Sequence, residues 1–369
     1  MNSFLENLIE QNKVKKELEK IISTRRVPHA FIFYGLEGTG KFNTAIQFIK
    51  ELISAHTNDI ITIDKYSKLQ EPYIKLIFPL PRGKNEQSED SAFDKLPKDV
   101  VEEIQQKIKE KSKNPFAPFS IDNSNQIRIN SIRDIKKFST LSSESIYRFI
   151  VIINAHLMNE QAQNALLKTL EEPPENIILI LLTTNLDTLL PTVQSRCRII
   201  NFEPLSENAI SNILINQFEI PKKIAESASH FSFGSYTQAL KLANYNLDKI
   251  LDLTIDFLRN AFTVNKYFTA ANIIKNFVEE FGEEQIPFFL NLIKLWLVDA
   301  IRNKNKIENV SFTKHSETFK KFNEKYPNAS LNDLIHKIDL IESYYKRNLN
   351  LNVFLLTIIF EINTVVKRL

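Results

Sequence analysis

The stretch from Asn164 to Cys197 constrains this chain more than any other. It reads Asn-Ala-Leu-Leu-Lys-Thr-Leu-Glu-Glu-Pro-Pro, then an apolar run from Ile177 to Leu182, then a turn that ends in Ser195-Arg196-Cys197. Ala162, Leu166 and Leu170, with Ala165 and Leu167 alongside, fall on one helical face. Glu172 precedes Pro173, which disfavours helical backbone at Glu172, and Pro174 makes the stop firm. The pattern predicts a helix halted by two prolines and a buried strand tipped by Thr183, Thr184 and Asn185, where parallel strands present ligand-facing groups. Pro191 opens a short turn or helix before a last strand, Arg198 to Phe202, and Arg196 is expected to be aimed at something beyond the sheet.

Two further apolar runs extend the sheet. Ala30-Phe31-Ile32-Phe33-Tyr34 reads as a strand buried on both faces. It runs straight into Gly35-Leu36-Glu37-Gly38-Thr39-Gly40-Lys41, after which Ala45, Phe48, Ile49 and Leu52 recur at helical spacing. Strand, glycine turn and helix form the setting of a phosphate-binding loop, because glycines let backbone N–H groups converge on an anion at the helix N-terminus. Lys41 adds the point charge. Three of only six glycines lie in this turn, more than a plain connection requires. The match to G-x-x-x-x-G-K-[ST] fails at its last place, where Phe42 replaces the hydroxyl that would hold Mg²⁺. Phe149 to Ile153 is another buried strand. Its end, Asn154-Ala155, lacks the Asp and Glu that P-loop ATPases place there for Mg²⁺ and water. His156 follows alone, without metal-ligand partners, and reads as structural.

Elsewhere the signal is coarser. Leu5 to Ile22 predicts one or two amphipathic helices. Leu80 to Lys98, rich in charge and Pro, predicts an exposed, solvated loop, and Val100 to Lys111 a charged helix. Gln126 to Ile129 predicts a short strand, followed by a helix with Ile132, Ile135 and Phe138 inward. Beyond Glu203-Pro204, Ser206 is a candidate N-cap, Pro221 opens a second helix and Ser235 a third. From about Asn246 the pattern is helical, with helices at Leu247 to Phe262, Ile286 to Arg302, Leu331 to Tyr345 and Asn352 to Val366. The last is apolar on more than one face, either as a bundle core or as a surface shared with another subunit.

Composition narrows the class. With 47 Lys and Arg against 44 Asp and Glu, the net charge of +3 does not mark a nucleic-acid binder by itself. One cysteine excludes an internal disulfide and a multi-cysteine zinc site. Met1 to Lys20 lacks the apolar core of a secretory peptide, and Ile286 to Val298 is too short to span a bilayer, so a soluble cytoplasmic protein is expected.

Together, the loop from Gly35 to Lys41, the Asn164 to Pro174 segment, Thr184 with Asn185, and Ser195-Arg196-Cys197 resemble the clamp-loader AAA+ family of bacterial DNA polymerase III, strongly over about residues 1–202. The resemblance implies an α/β AAA+ P-loop domain with a degenerate nucleotide site (1–202), a three-helix lid (203–245) and an all-α collar for oligomerisation (246–369). It is nearest to the delta-prime pattern, a non-hydrolysing subunit. Gly35, Gly38, Gly40 and Lys41 become a degenerate nucleotide-binding loop, Thr184 and Asn185 sensor-like positions, and Ser195 and Cys197 the frame of an arginine finger. Arg196 is implied to act in trans on a neighbour's ATP, a role worth roughly 10³ to 10⁵ in turnover.

The resemblance also implies a place in the DNA polymerase III holoenzyme without intrinsic ATPase activity. The implied partners are gamma/tau-type motor subunits and a delta subunit, with the sliding clamp and primed DNA reached through the complex, and no membrane. No cofactor or metal is required, and residual ATP or ADP binding stays open. The family's four-cysteine zinc site is missing, and Thr237 stands where active relatives place a phosphate-reading arginine. Two other readings remain: an active ATPase in which Asn43, Thr44 or His156 compensates, and a helical interaction protein on a decayed P-loop fold.

Overall fold

A computed structural model describes residues 3–83, 90–140, 147–345 and 350–367. The chain divides into two compact units, Met1–Lys241 and Leu242–Leu369.

Among the described residues the first unit is built on five parallel strands: β1 (Ala30–Gly35), β2 (Ile74–Ile77), β3 (Arg148–Ile152), β4 (Ile177–Thr183) and β5 (Arg198–Phe202). Their order across the sheet is β2-β3-β4-β1-β5. Side chains alternate between faces along a strand, so each apolar run feeds two cores. Phe31, Phe33, Phe149, Val151, Ile178 and Ile180 join one layer with Val14, Leu18, Phe48 and Ile49 from helices Asn12–Ser23 and Lys41–Ser54. Ala30, Ile32, Ile150, Ile152, Leu179 and Leu181 join the other with Ile132, Phe138, Leu166 and Val193. Burying each large side chain contributes about 1.5–3 kcal/mol, which is why these strands read as continuous apolar runs.

Helix Glu160–Glu171 starts under Asn159, whose side chain accepts from Ala162 N–H, and stops at Glu172 before the two prolines. It links the carboxyl end of β3 to the amino end of β4 and therefore runs antiparallel to the strands. Ser206 caps helix Glu207–Phe218 through Ala209 N–H, and helix Lys222–His230 follows Pro221. Helix Tyr236–Asn244 comes next.

Two expectations are corrected. Gln126 to Ile129 is not a strand: Ile127 makes an isolated bridge to Met158, and helix Ile129–Ser139 begins at once. Arg128 instead reaches back to donate to the carbonyls of Leu80 and Pro81, at 3.0 and 2.9 Å. The Leu80 to Lys98 segment is anchored as well as solvated. Leu80 and Ala92 are buried, and Asp134 accepts from Ser91 Oγ and Ala92 N–H. Residues 84–89 of that segment lie outside the described residues.

The second unit is helical, with helices Leu247–Ala261, Tyr267–Phe281, Ile286–Lys304, Ser316–Lys325, Leu331–Tyr345 and Leu351–Lys367. Buried Asp299 accepts from Ser311 and Phe312 N–H at 2.7 and 3.0 Å, tying a loop to helix Ile286–Lys304. In Leu351–Lys367, Phe354, Ile358 and Ile362 are buried, whereas Val353, Leu356 and Phe360 are exposed. Among the described residues, no helix is long and apolar enough to cross a membrane.

Candidate functional site: a closed phosphate loop and an outward arginine

The sheet order puts the phosphate loop where an open α/β sheet binds ligands, beyond the strands' carboxyl ends at the point where strand order reverses. Tyr34 is in register with Thr183 and Gly35 with Phe202, so the loop, Thr184 and Asn185 share one end of the sheet. Gly40, with φ of 87°, turns the chain into helix Lys41–Ser54, whose N-terminus carries no side-chain cap. The orphan N–H groups there favour an anion.

The loop's own lysine turns inward. Lys41 Nζ donates to the carbonyls of Gly35 and Leu36, both at 2.6 Å, and burial lowers its pKa to about 8 against the pull of Glu37. His156 and Thr184 meet within range of its charge, with Thr184 Oγ1 at 3.5 Å from the imidazole nitrogens. Burial, and secondarily the charge of Lys41, lowers the His156 pKa to about 4, so the ring is neutral at pH 7. Asn185 is committed locally, its Oδ1 accepting from Asp187 N–H at 3.0 Å. Asn154 adopts a left-handed conformation at the end of β3, and Ala155 is fully buried. Neither side chain has the carboxylate that would hold Mg²⁺ or deprotonate water.

Where the Mg²⁺-binding hydroxyl would stand, the structure has a different pairing. The Phe42 ring is buried, and the Lys111 Nζ lies 4.5 Å from its centre while donating to Ala117 O at 2.6 Å. Lys111 is 5% exposed, and burial lowers its pKa to about 7, opposed by Glu37. Its place on the inner face of helix Lys98–Lys113 does not follow from the charge of Val100 to Lys111, which predicts only a charged helix. The signal was present, because Ile104, Ile108 and Lys111 follow helical spacing.

The surrounding groups close over the loop. Gln11 Nε2 donates to Thr39 O at 3.3 Å and Glu203 O at 2.7 Å, and its Oε1 accepts from Glu203 N–H at 3.2 Å. Tyr236 N–H donates to Gly38 O at 3.0 Å, and the Tyr236 ring packs edge-on against Phe116 at 5.2 Å. Thr237 is held by Ser235, with 2.9 Å between the hydroxyls. The crevice between Gln11, Thr39, Gly40, Thr44, Phe116 and Leu205 encloses about 10 Å³, room for about one water.

Arg196 lies at the other end of the sheet. Phe31 is in register with Arg198 and Gly35 with Phe202, so about 13 Å of strand separates the end near Arg196 from the end carrying the loop. Its guanidinium donates from Nη1 to Thr192 O at 3.0 Å and pairs through Nη2 with Glu171 Oε1 at 2.9 Å. Ser195 is exposed beside it, its Oγ donating to Thr192 O at 3.1 Å. Cys197 packs against the core, where burial pushes its thiol up to about 12 and keeps it protonated.

A five-stranded parallel sheet with a phosphate loop at its switch point, a helical segment closing over that loop and a separate helical unit define an AAA+ P-loop protein. The chain belongs to the DNA polymerase III clamp-loader family, matching over residues 10–206 the family described as DNA polymerase III, delta subunit. It is similar to DNA polymerase III subunit tau of Bacillus subtilis, at 26% identity over 69% of this chain and 39% of that protein. The gamma subunit of Buchnera aphidicola subsp. Schizaphis graminum is 28% identical over 53% of this chain and 60% of that protein. Subunit delta' of B. subtilis is 27% identical over 56% of this chain and 52% of that protein. The chain thus spans between about two fifths and three fifths of the length of these relatives.

Proposed function

We propose that this chain is the non-hydrolysing, delta-prime-like subunit of a clamp loader and that Arg196 serves a neighbouring subunit's ATP during loading of the sliding clamp onto primed DNA. The carrying observation is the placement of Arg196 at the amino ends of the strands, a sheet's length from its own phosphate loop. From there it has no reach to Lys41, while its side chain is 36% exposed and pairs with Glu171. An arginine finger needs that disposition, because it stabilises transition-state charge on a phosphate held by another subunit.

Four features of the loop support the absence of chemistry at the chain's own site. Phe42 supplies no hydroxyl, Asn154 and Ala155 supply no carboxylate, Lys111 occupies the Phe42 face, and Gln11 narrows the adjoining crevice. In this reading the chain needs no cofactor of its own, and Gly35, Gly38, Gly40 and Lys41 are kept as architecture. Its partners are gamma/tau-type motor subunits and a delta subunit, with clamp and DNA engaged by the assembly. ATP turnover of the purified chain tests the first half. The expected result is no Mg²⁺-dependent hydrolysis above background, and robust turnover abolished by Lys41→Ala overturns it.

A further inference from the structure

We propose that Glu171 is a positioning residue for Arg196, fixing the plane in which the guanidinium is offered to a neighbouring phosphoryl group. The inference rests on the reading of Arg196 as a finger and adds the residue that aims it.

Glu171 is the last residue of helix Glu160–Glu171, with Glu172 next. Carboxylates at a helix C-terminus face the negative end of the helix dipole and are disfavoured there. An exposed ion pair offers little stability in return, and this one is 36% exposed on Arg196 and 51% on Glu171. Stability therefore does not account for an acid at this position, whereas orientation does. The guanidinium is a rigid fork of five N–H donors on a flexible stem. Here its two terminal nitrogens are held by acceptors from different elements, Nη1 by Thr192 O at 3.0 Å and Nη2 by Glu171 Oε1 at 2.9 Å. Two anchors on separate helices fix the plane, which one anchor on the flexible stem would leave free to rotate.

The topology brings the anchors together. Helix Glu160–Glu171 runs antiparallel to the strands, so its C-terminus lies at their amino ends, where Arg196 precedes β5. Pro173 and Pro174 end the helix at the turn that leaves the Glu171 carboxylate beside Arg196, just past helix Pro191–Gln194. In this account the Leu-Glu-Glu-Pro-Pro segment and Ser-Arg-Cys are two halves of one device.

The test is steady-state ATP hydrolysis by the complex reconstituted from this chain and its motor subunits, with clamp and primed DNA, comparing Glu171→Ala, Arg196→Ala and the double variant. Misplacing a reacting group by about 1 Å costs up to about 10²-fold, so Glu171→Ala is expected to lower kcat by about tenfold. KM for ATP and assembly on size exclusion are expected to stay unchanged. In the Arg196→Ala background Glu171→Ala should cause no further loss, since the two act through one group. Glu171→Gln, which keeps an acceptor oxygen, should recover part of the rate.

A wild-type rate for Glu171→Ala alongside a loss for Arg196→Ala overturns the positioning role and leaves the finger standing. A further loss in the double variant also overturns it. A wild-type rate for Arg196→Ala removes the finger, and this proposal with it.

Discussion

The ammonium of Lys111 sits 4.5 Å from the centre of the Phe42 ring, at the position where a phosphate loop would use a hydroxyl to hold a metal. The pairing is largely buried, and its consequence can be read from stability. The pKa of Lys111 is lowered from 10.5 to about 7, chiefly by burial. Between those values the unfolded chain binds more protons than the folded one, so stability rises with pH across that window. Below about pH 7 the lysine is charged in both states and the full burial penalty remains. Lys111→Met is expected to raise stability at pH 6 by about 1–3 kcal/mol, the burial penalty on the charged amine less the hydrogen bond lost at Ala117 O, each kcal/mol shifting the midpoint by about 2–4 °C. It should also flatten the rise between pH 7 and 10, leaving the shallower part due to Lys41, whose pKa of about 8 has the same sign. Thermal unfolding from pH 6 to pH 10 checks this, and an unchanged or lowered midpoint at pH 6 contradicts it.

A second titration reports on the loop directly. His156 is held near 4 by burial first and by Lys41 second, whereas its unfolded value is 6.5. The folded chain therefore stays deprotonated at His156 where the unfolded chain takes up a proton, and this contribution to stability is lost as pH falls from about 6.5 toward 4. An NMR titration is expected to show a neutral ring down to about pH 5. Lys41→Ala should move the midpoint upward while leaving it below 6.5, because burial persists. A midpoint at or above 6.5 in the wild-type chain would show that His156 is not enclosed in this way.

Gly38 is the point at which the loop meets helix Tyr236–Asn244. Its φ is +74°, and a Cβ there would lie 2.5 Å from Ser235 Oγ and 2.8 Å from Thr237 N. Gly38→Ala combines left-handed backbone strain with a clash against backbone, and is expected to cost about 1–3 kcal/mol. Denaturant unfolding measures the loss. Hydrogen exchange at Tyr236 N–H, which donates to Gly38 O, should accelerate along with it.

Much of the sheet was legible because its strands are buried on both faces and announce themselves as unbroken apolar runs. The stop of helix Glu160–Glu171 was legible because two prolines impose it. Strand β2 was not: Ile74–Ile77 is four residues long and includes Lys75, whose side chain pairs with Glu71. Gln126 to Ile129 misled because alternation over four residues also fits an extended turn stitched by Arg128 to Leu80 and Pro81. Within the site, Lys41, Thr184 and the missing carboxylates were apparent as residue types at motif spacings. The roles of Gln11 and Lys111 were not, since a polar residue at a helix N-cap or on a buried helical face looks solvated until its partners are known. The pairing of Glu171 with Arg196 joins residues on separate elements, and no local periodicity reports such a contact.

In the proposed function Arg196 works on a neighbour's ATP while the chain's own loop does no chemistry. Arg196→Ala in the reconstituted complex tests it most directly, through ATP hydrolysis stimulated by clamp and primed DNA. The expected result is intact assembly with hydrolysis reduced by roughly 10³-fold or more at the interface that Arg196 is proposed to serve. Hydrolysis at the wild-type rate in a fully assembled complex would contradict it.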